Sequence, residues 1–148
     1  MNNAKRILAE QRKRLKVRLW RERGEDTWIS ARGQIAKRPR CAWCGEFIWF
    51  PEDCVMHEWL IKRSDLPVKL QHRIMVPCGC ILLHVECHAQ HGQTRECKLR
   101  CAKAMYERYG RNVIAAWVQG LGLKQHVEVP TEEESNASWI WYGLKAQT

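Results

Sequence analysis

The sequence predicts an α+β fold in which a short β-rich segment is flanked by helices on both sides, and three observations carry that expectation. Residues 4–23 contain neither Gly nor Pro and place Leu8, Leu15 and Leu19 on one helical face. Phe47-Ile48-Trp49-Phe50 and residues 55–61 favour strands and stand between turn formers. From Arg95 onward, Cys97, Cys101 and Met105, then Val113, Ile114, Trp117, Val118 and Leu121, recur at helical spacing, with Gly110 placed between the two runs as a C-cap.

Taken in order, a basic helix ends near Gly24, and the mixed stretch Thr27 to Arg40 reads as a linker ending in Lys37-Arg38-Pro39-Arg40. Pro51-Glu52-Asp53 is a turn, and Ser64-Asp65-Leu66-Pro67 breaks the following strand. A further β segment is expected at Arg73 to Val76, then a turn at Pro77-Cys78-Gly79. Ile81-Leu82-Leu83 leads into a short helix that starts around Val85 and carries Cys87 and His88. Glu132-Glu133-Glu134 opens an acidic, poorly patterned tail whose Trp139, Trp141 and Tyr142 are placed to dock back. The organisation expected is a basic helix and linker (1–40), a central module (41–92), a helical extension (93–124) and a flexible acidic tail (125–148). At 148 residues the chain suits one domain rather than two.

The net charge of +9 is unevenly placed: residues 1–40 hold 13 Lys+Arg against 4 Asp+Glu, whereas the remainder is balanced. Such a block attracts polyanions through counterion release. The segment lacks the Trp/Phe/Leu-rich face of a membrane-surface helix, so nucleic acid is the expected partner. Arg12, Lys13, Arg14, Lys16 and Arg18 are the expected phosphate contacts, with Lys62 and Arg63 beside them. No apolar run approaches the ~20 residues needed to cross a bilayer. The leading basic residues are not followed by a secretory h-region, so a cytoplasmic location is expected.

In a reducing compartment, the eight cysteines favour metal ligation or burial over disulfides. Cys41-Ala42-Trp43-Cys44-Gly45 has the knuckle spacing that turns two thiolates onto one ion, and His84-Val85-Glu86-Cys87 repeats the spacing. Together they make a Cys₃His structural zinc site. Cys97 and Cys101 share a face with Met105 and read as core packing, while Cys54, Cys78 and Cys80 give no four-ligand pattern. His91, one turn after His88, is either a further ligand or exposed, and His72 sits in a basic loop. Trp43, Trp49 and Trp59 are expected to pack over the knuckle.

Between the two ligand pairs lies Met56-His57-Glu58-Trp59-Leu60-Ile61-Lys62-Arg63-Ser64, and His88 follows directly after the second. This arrangement resembles the HNH endonuclease module, in its phage-type His-Glu variant, over residues 41–92. The resemblance implies a zinc-stapled ββα-metal fold, metal-dependent hydrolysis of DNA phosphodiesters, structural Zn²⁺, and Mg²⁺ or another divalent cation as the catalytic ion. It also implies phage packaging or recombination proteins as partners, in the host cell cytoplasm. Carried over, His57 is the general base, Glu58 a ligating or orienting residue, and His88 the holder of the catalytic ion. Strict family register would instead put His57 on the ion and Glu58 at the base. The family's middle asparagine falls on Gly79, which has no side chain to offer. A degenerate, non-catalytic zinc module that binds nucleic acid is the alternative. A protein-interaction zinc module of the RING kind would need a second ligand set interleaved with the first.

Overall fold

A computed structural model describes residues 2–28 and 33–137. Helix α1 (Asn3–Glu22) forms where the chain is free of breakers, and the Asn2 side chain caps it by accepting from the Ala4 N–H at 2.7 Å. Leu15 and Leu19 are buried on its inner face, as their spacing predicts. Arg23 locks the end of the helix to the core: its guanidinium donates to the Cys80 carbonyl at 2.8 Å and reaches the Tyr109 hydroxyl at 3.4 Å. A residue that reads as one more cation of a basic helix is thus a half-buried clamp on three otherwise separate segments.

The expected linker after α1 is not a linker. Strands β1 (Glu25–Trp28) and β2 (Ile35–Arg38) pair antiparallel, Glu25 opposite Arg38 and Trp28 opposite Ile35. The second sheet is the hairpin of β3 (Cys54–Glu58) and β4 (Cys80–His84), in register from Cys54 opposite His84 to Glu58 opposite Cys80. Cys80 through Leu83 are all buried, which is why Ile81-Leu82-Leu83 shows no alternation: the strand is covered on both faces. The long link between β3 and β4 contains 3₁₀ turns at Arg63–Asp65, Val68–Ile74 and Pro77–Gly79. The strand expected at Arg73 to Val76 is absent there, and Ile74 instead closes a 3₁₀ turn with its side chain fully buried. Phe47 to Phe50 likewise forms no strand; a single antiparallel bridge joins Phe47 to Arg40.

Helix α2 (Val85–His91) follows β4 directly, giving the order β3-β4-α2 for the central module. Helix α3 (Arg95–Tyr109) is capped by the Thr94 hydroxyl, which accepts from the Cys97 N–H at 3.1 Å, and ends at Gly110. Helix α4 (Arg111–Gly120) buries Ile114.

The segment expected to be a flexible tail is docked as far as it is described. The Tyr106 hydroxyl donates to the Pro130 carbonyl at 2.6 Å, and Arg111 donates to the same carbonyl and to that of Val129. Thr131 and Glu134 cap each other reciprocally, starting a helical turn over 132–137 that buries Ser135 and pairs Glu134 with Arg95. Trp139, Trp141 and Tyr142 lie outside the described residues. No helix among the described residues is long and apolar enough to cross a membrane.

Candidate metal centre

The knuckle is a tight turn closed by Gly45 N–H to the Cys41 carbonyl at 2.8 Å and by Cys41 N–H to the Glu46 carbonyl at 2.9 Å. Gly45 has φ +74°, a conformation that a side chain would strain. The Ala42 N–H donates to the Leu82 carbonyl at 3.3 Å and so fastens the turn to β4, whose end delivers His84. One turn into α2, Cys87 arrives on the same side. The ligand atoms of Cys41, Cys44, His84 and Cys87 all lie within 4.8 Å of one another.

These four residues fit zinc in chemistry as well as in place. Tetrahedral ligands at zinc bond lengths stand ~3.5–3.8 Å apart, and the Cys44 sulfur is 3.3 Å from His84 Nδ1. His84 Nε2 lies 3.2 Å from the Phe47 carbonyl, which can only accept, so Nε2 carries the proton and Nδ1 is left as the free lone pair facing the sulfurs. The Cys44 thiol, followed by backbone N–H groups including that of His84, draws the Cys41 thiol below its ordinary range against the effect of burial. The chain therefore holds a Cys₃His cluster compatible with zinc.

The knuckle is braced from α3. Arg100 lies over the Trp43 ring at 3.9 Å and donates to the Trp43 carbonyl at 2.6 Å, while His91 stacks on the same indole at 4.0 Å. His91, an open assignment in the sequence, is thus a packing partner of the knuckle. Of the three tryptophans expected over the knuckle, only Trp43 takes that place. Trp59 is buried elsewhere, donating to the Cys78 carbonyl at 2.9 Å, and Trp49 is exposed.

The hairpin and α2 bring His57 and His88 together, with ring centroids 5.1 Å apart and planes at 69°. His57 is only 5% exposed, and its surroundings include two residues read from the sequence as core packing: its ligand atom lies within 4.8 Å of the sulfurs of Cys97 and Cys101. Burial, then the neighbouring His57, holds the His88 imidazole below its ordinary pKa. A hydrogen bond between Cys97 and Cys101 draws the Cys97 thiol down with His57 assisting, while the same bond and full burial push Cys101 up.

Glu58 turns to the other side of β3 and is held by cations. Its Oε1 is 2.6 Å from Arg63 Nε and 3.6 Å from Arg12, the nearer contact an ion pair by distance without the alignment of a hydrogen bond. Arg12 and Arg63, both expected on phosphates, are thereby committed to an internal carboxylate. Lys16 is committed as well, donating to the Cys54 carbonyl at 2.8 Å, and Lys62 contacts Gln93. Lys13, Arg14 and Arg18 remain exposed on the outer face of α1, Arg18 with Glu22 as an i,i+4 partner at 2.7 Å.

The position of the expected asparagine is closed. A Cβ on Gly79 would fall 2.5 Å from the Ile74 carbonyl oxygen and 3.1 Å from the Trp117 ring. Next to His57 and Glu58, a cavity of about 400 Å³ is rimmed by Lys62, Arg95 and Lys98. Among the described residues, Cys54, Cys78 and Cys80 join no metal-competent group; the Cys54 thiol donates to Pro51 and the Cys80 thiol to Ile74, and burial pushes Cys80 up to about 12. Comparison with family models, with curated proteins and with solved structures finds no match to this chain.

Proposed function

We propose that the protein is a zinc-held module that binds nucleic acid through the outer face of α1. The observation that carries this reading is the division of labour on that helix. Leu15 and Leu19 dock the helix and Arg12 and Lys16 fix the hairpin, while Arg6, Lys13, Arg14, Arg18 and Arg21 stay exposed on its remaining sides, Arg14 beside Glu10 at 4.0 Å and Arg18 beside Glu22 at 2.7 Å, so that the exposed surface keeps a cationic excess. Cations presented on a helix neutralise phosphates and release their counterions.

Metal-dependent phosphodiester hydrolysis is the second reading, and the cation-rimmed cavity beside His57 is what favours it. The first reading ranks higher because the proposed base is buried among sulfurs and Glu58 is neutralised by two arginines. A general base must reach a water bound near the scissile phosphate.

Both readings are tested on the intact chain. The wild type is expected to bind duplex DNA with a linear fall of log affinity against log salt. In the triple variant Lys13→Gln, Arg14→Gln, Arg18→Gln the slope is expected to shrink by up to ~2.7, at ~0.9 per lost phosphate contact. An unchanged slope would move the binding surface elsewhere. Supercoiled plasmid with Mg²⁺ or Mn²⁺ is expected to remain intact. Nicking that disappears in His57→Ala would establish the hydrolytic reading instead.

A further inference from the structure

We propose that His57, His88, Cys97 and Cys101 form a second zinc site, separate from the knuckle site and interleaved with it along the chain. Three of the four already stand together: the ligand atoms of His57, Cys97 and Cys101 lie within 4.8 Å of one another, all three residues are buried, and the two sulfurs are 4.0 Å apart. Two thiolates on one tetrahedral zinc are ~3.8 Å apart. The spacing is that of a ligand pair one turn apart on a helix, and α3 supplies it from Thr94, whose cap fixes Cys97 in the first turn.

His88 is the fourth. Two imidazoles bound through nitrogen to one tetrahedral zinc have ring centroids ~5 Å apart. The His57 and His88 centroids are 5.1 Å apart. Core packing explains why these cysteines are buried, but it gives no reason for two histidines to turn toward them. An apolar core would be better filled by a branched aliphatic side chain than by imidazoles in need of partners.

The donor set decides the metal. Two sulfurs and two imidazole nitrogens suit zinc and are poor ligands for Mg²⁺, which demands oxygen. Four protein ligands also leave no position for water, the mark of a structural rather than a catalytic zinc. The order along the chain is then Cys41 and Cys44 to the first ion, His57 to the second, His84 and Cys87 to the first, and His88, Cys97 and Cys101 to the second. This is the interleaving that the sequence lacked while Cys97 and Cys101 counted only as core. Neighbouring residues of α2, Cys87 and His88, serve different ions, so the helix is clamped from two sides.

The inference does not rest on nucleic-acid binding, and its test involves none. Wild-type protein saturated with zinc and freed of loose metal should hold two ions per chain by native mass spectrometry. With Co²⁺ in place of zinc, the sulfur-to-metal absorption should correspond to five thiolates on two ions. The variant Cys97→Ala, Cys101→Ala should hold one ion and keep three thiolates' worth of absorption. One zinc and three thiolates in the wild type would overturn the proposal, whatever the variant does. A folded variant that still held two ions would overturn it too.

Discussion

Replacing Cys41 by Ser, or stripping metal with a strong chelator, is expected to abolish the cooperative thermal transition of the central module rather than merely lower its midpoint. The Cys₃His cluster joins the knuckle, the end of β4 and the start of α2, three segments that otherwise meet through few backbone hydrogen bonds. Structural zinc contributes on the order of 10 kcal/mol in small modules at neutral pH. A domain of this size has a total stability of about 5–15 kcal/mol. Loss of an ion held by these four residues would therefore be comparable to loss of the fold. Ile48, Leu82 and Leu83 belong to the same buried cluster as Cys41, and the knuckle is fastened to β4 through the Ala42 N–H on the Leu82 carbonyl, so disorder in the knuckle would reach the core. Circular dichroism melts of wild type, Cys41→Ser and chelated protein measure this directly. Superimposable melts would show that the four residues are ordinary core thiols with a neighbouring histidine.

How far the site could be read from the sequence depends on how local its geometry is. The knuckle is local: two cysteines separated by two residues and followed by glycine can form only a few turns, and the matching His84-Cys87 spacing at the β4–α2 junction gives the second half. The second cluster is not local. His57 and Cys97 are 40 positions apart in the chain, and nothing in either neighbourhood says that β3 will face α3. Cys97, Cys101 and Met105 at helical spacing do lie in the core, so the apolar reading was right about burial and incomplete about neighbours. The β1–β2 hairpin was hidden for another reason. Strands of four residues in a mixed, basic stretch show no clear alternation, and Ile35 is exposed where a pattern would want it buried. The docked segment after α4 did carry a signal, since Thr131-Glu132-Glu133-Glu134 is the sequence of a capping box. The run of three glutamates masked it. Individual cations were the least legible of all, because a basic helix looks the same whether an arginine faces solvent or, like Arg12 and Arg23, an internal partner.

Placing an asparagine at Gly79 should destabilise the protein without producing cleavage. The sequence alone invites the opposite expectation, that Gly79→Asn repairs a degenerate site. The obstacle lies at the first carbon of the side chain: a Cβ would meet the Ile74 carbonyl oxygen at 2.5 Å. That oxygen belongs to the backbone of a fully buried residue at the end of a 3₁₀ turn, and it also accepts from the Cys80 thiol at 3.5 Å. It has little room to retreat. On the other side, the Trp117 ring stands 3.1 Å away and is tethered through its indole N–H to the Arg73 carbonyl at 3.2 Å. Overpacking of this kind costs about 1–3 kcal/mol, and a clash against backbone belongs near the upper end. Because the clash comes from the Cβ itself, Gly79→Ala should lose nearly as much as Gly79→Asn, and removing the indole with Trp117→Ala should rescue neither. Denaturant midpoints of Gly79→Ala and Gly79→Asn, each alone and combined with Trp117→Ala, read beside a plasmid-nicking assay with Mg²⁺ or Mn²⁺, decide the matter. If Gly79→Asn proved as stable as wild type and gained metal-dependent nicking, the loop would have the space for an asparagine, and the hydrolytic reading of the His57–His88 pair would take precedence over the zinc-held binding module.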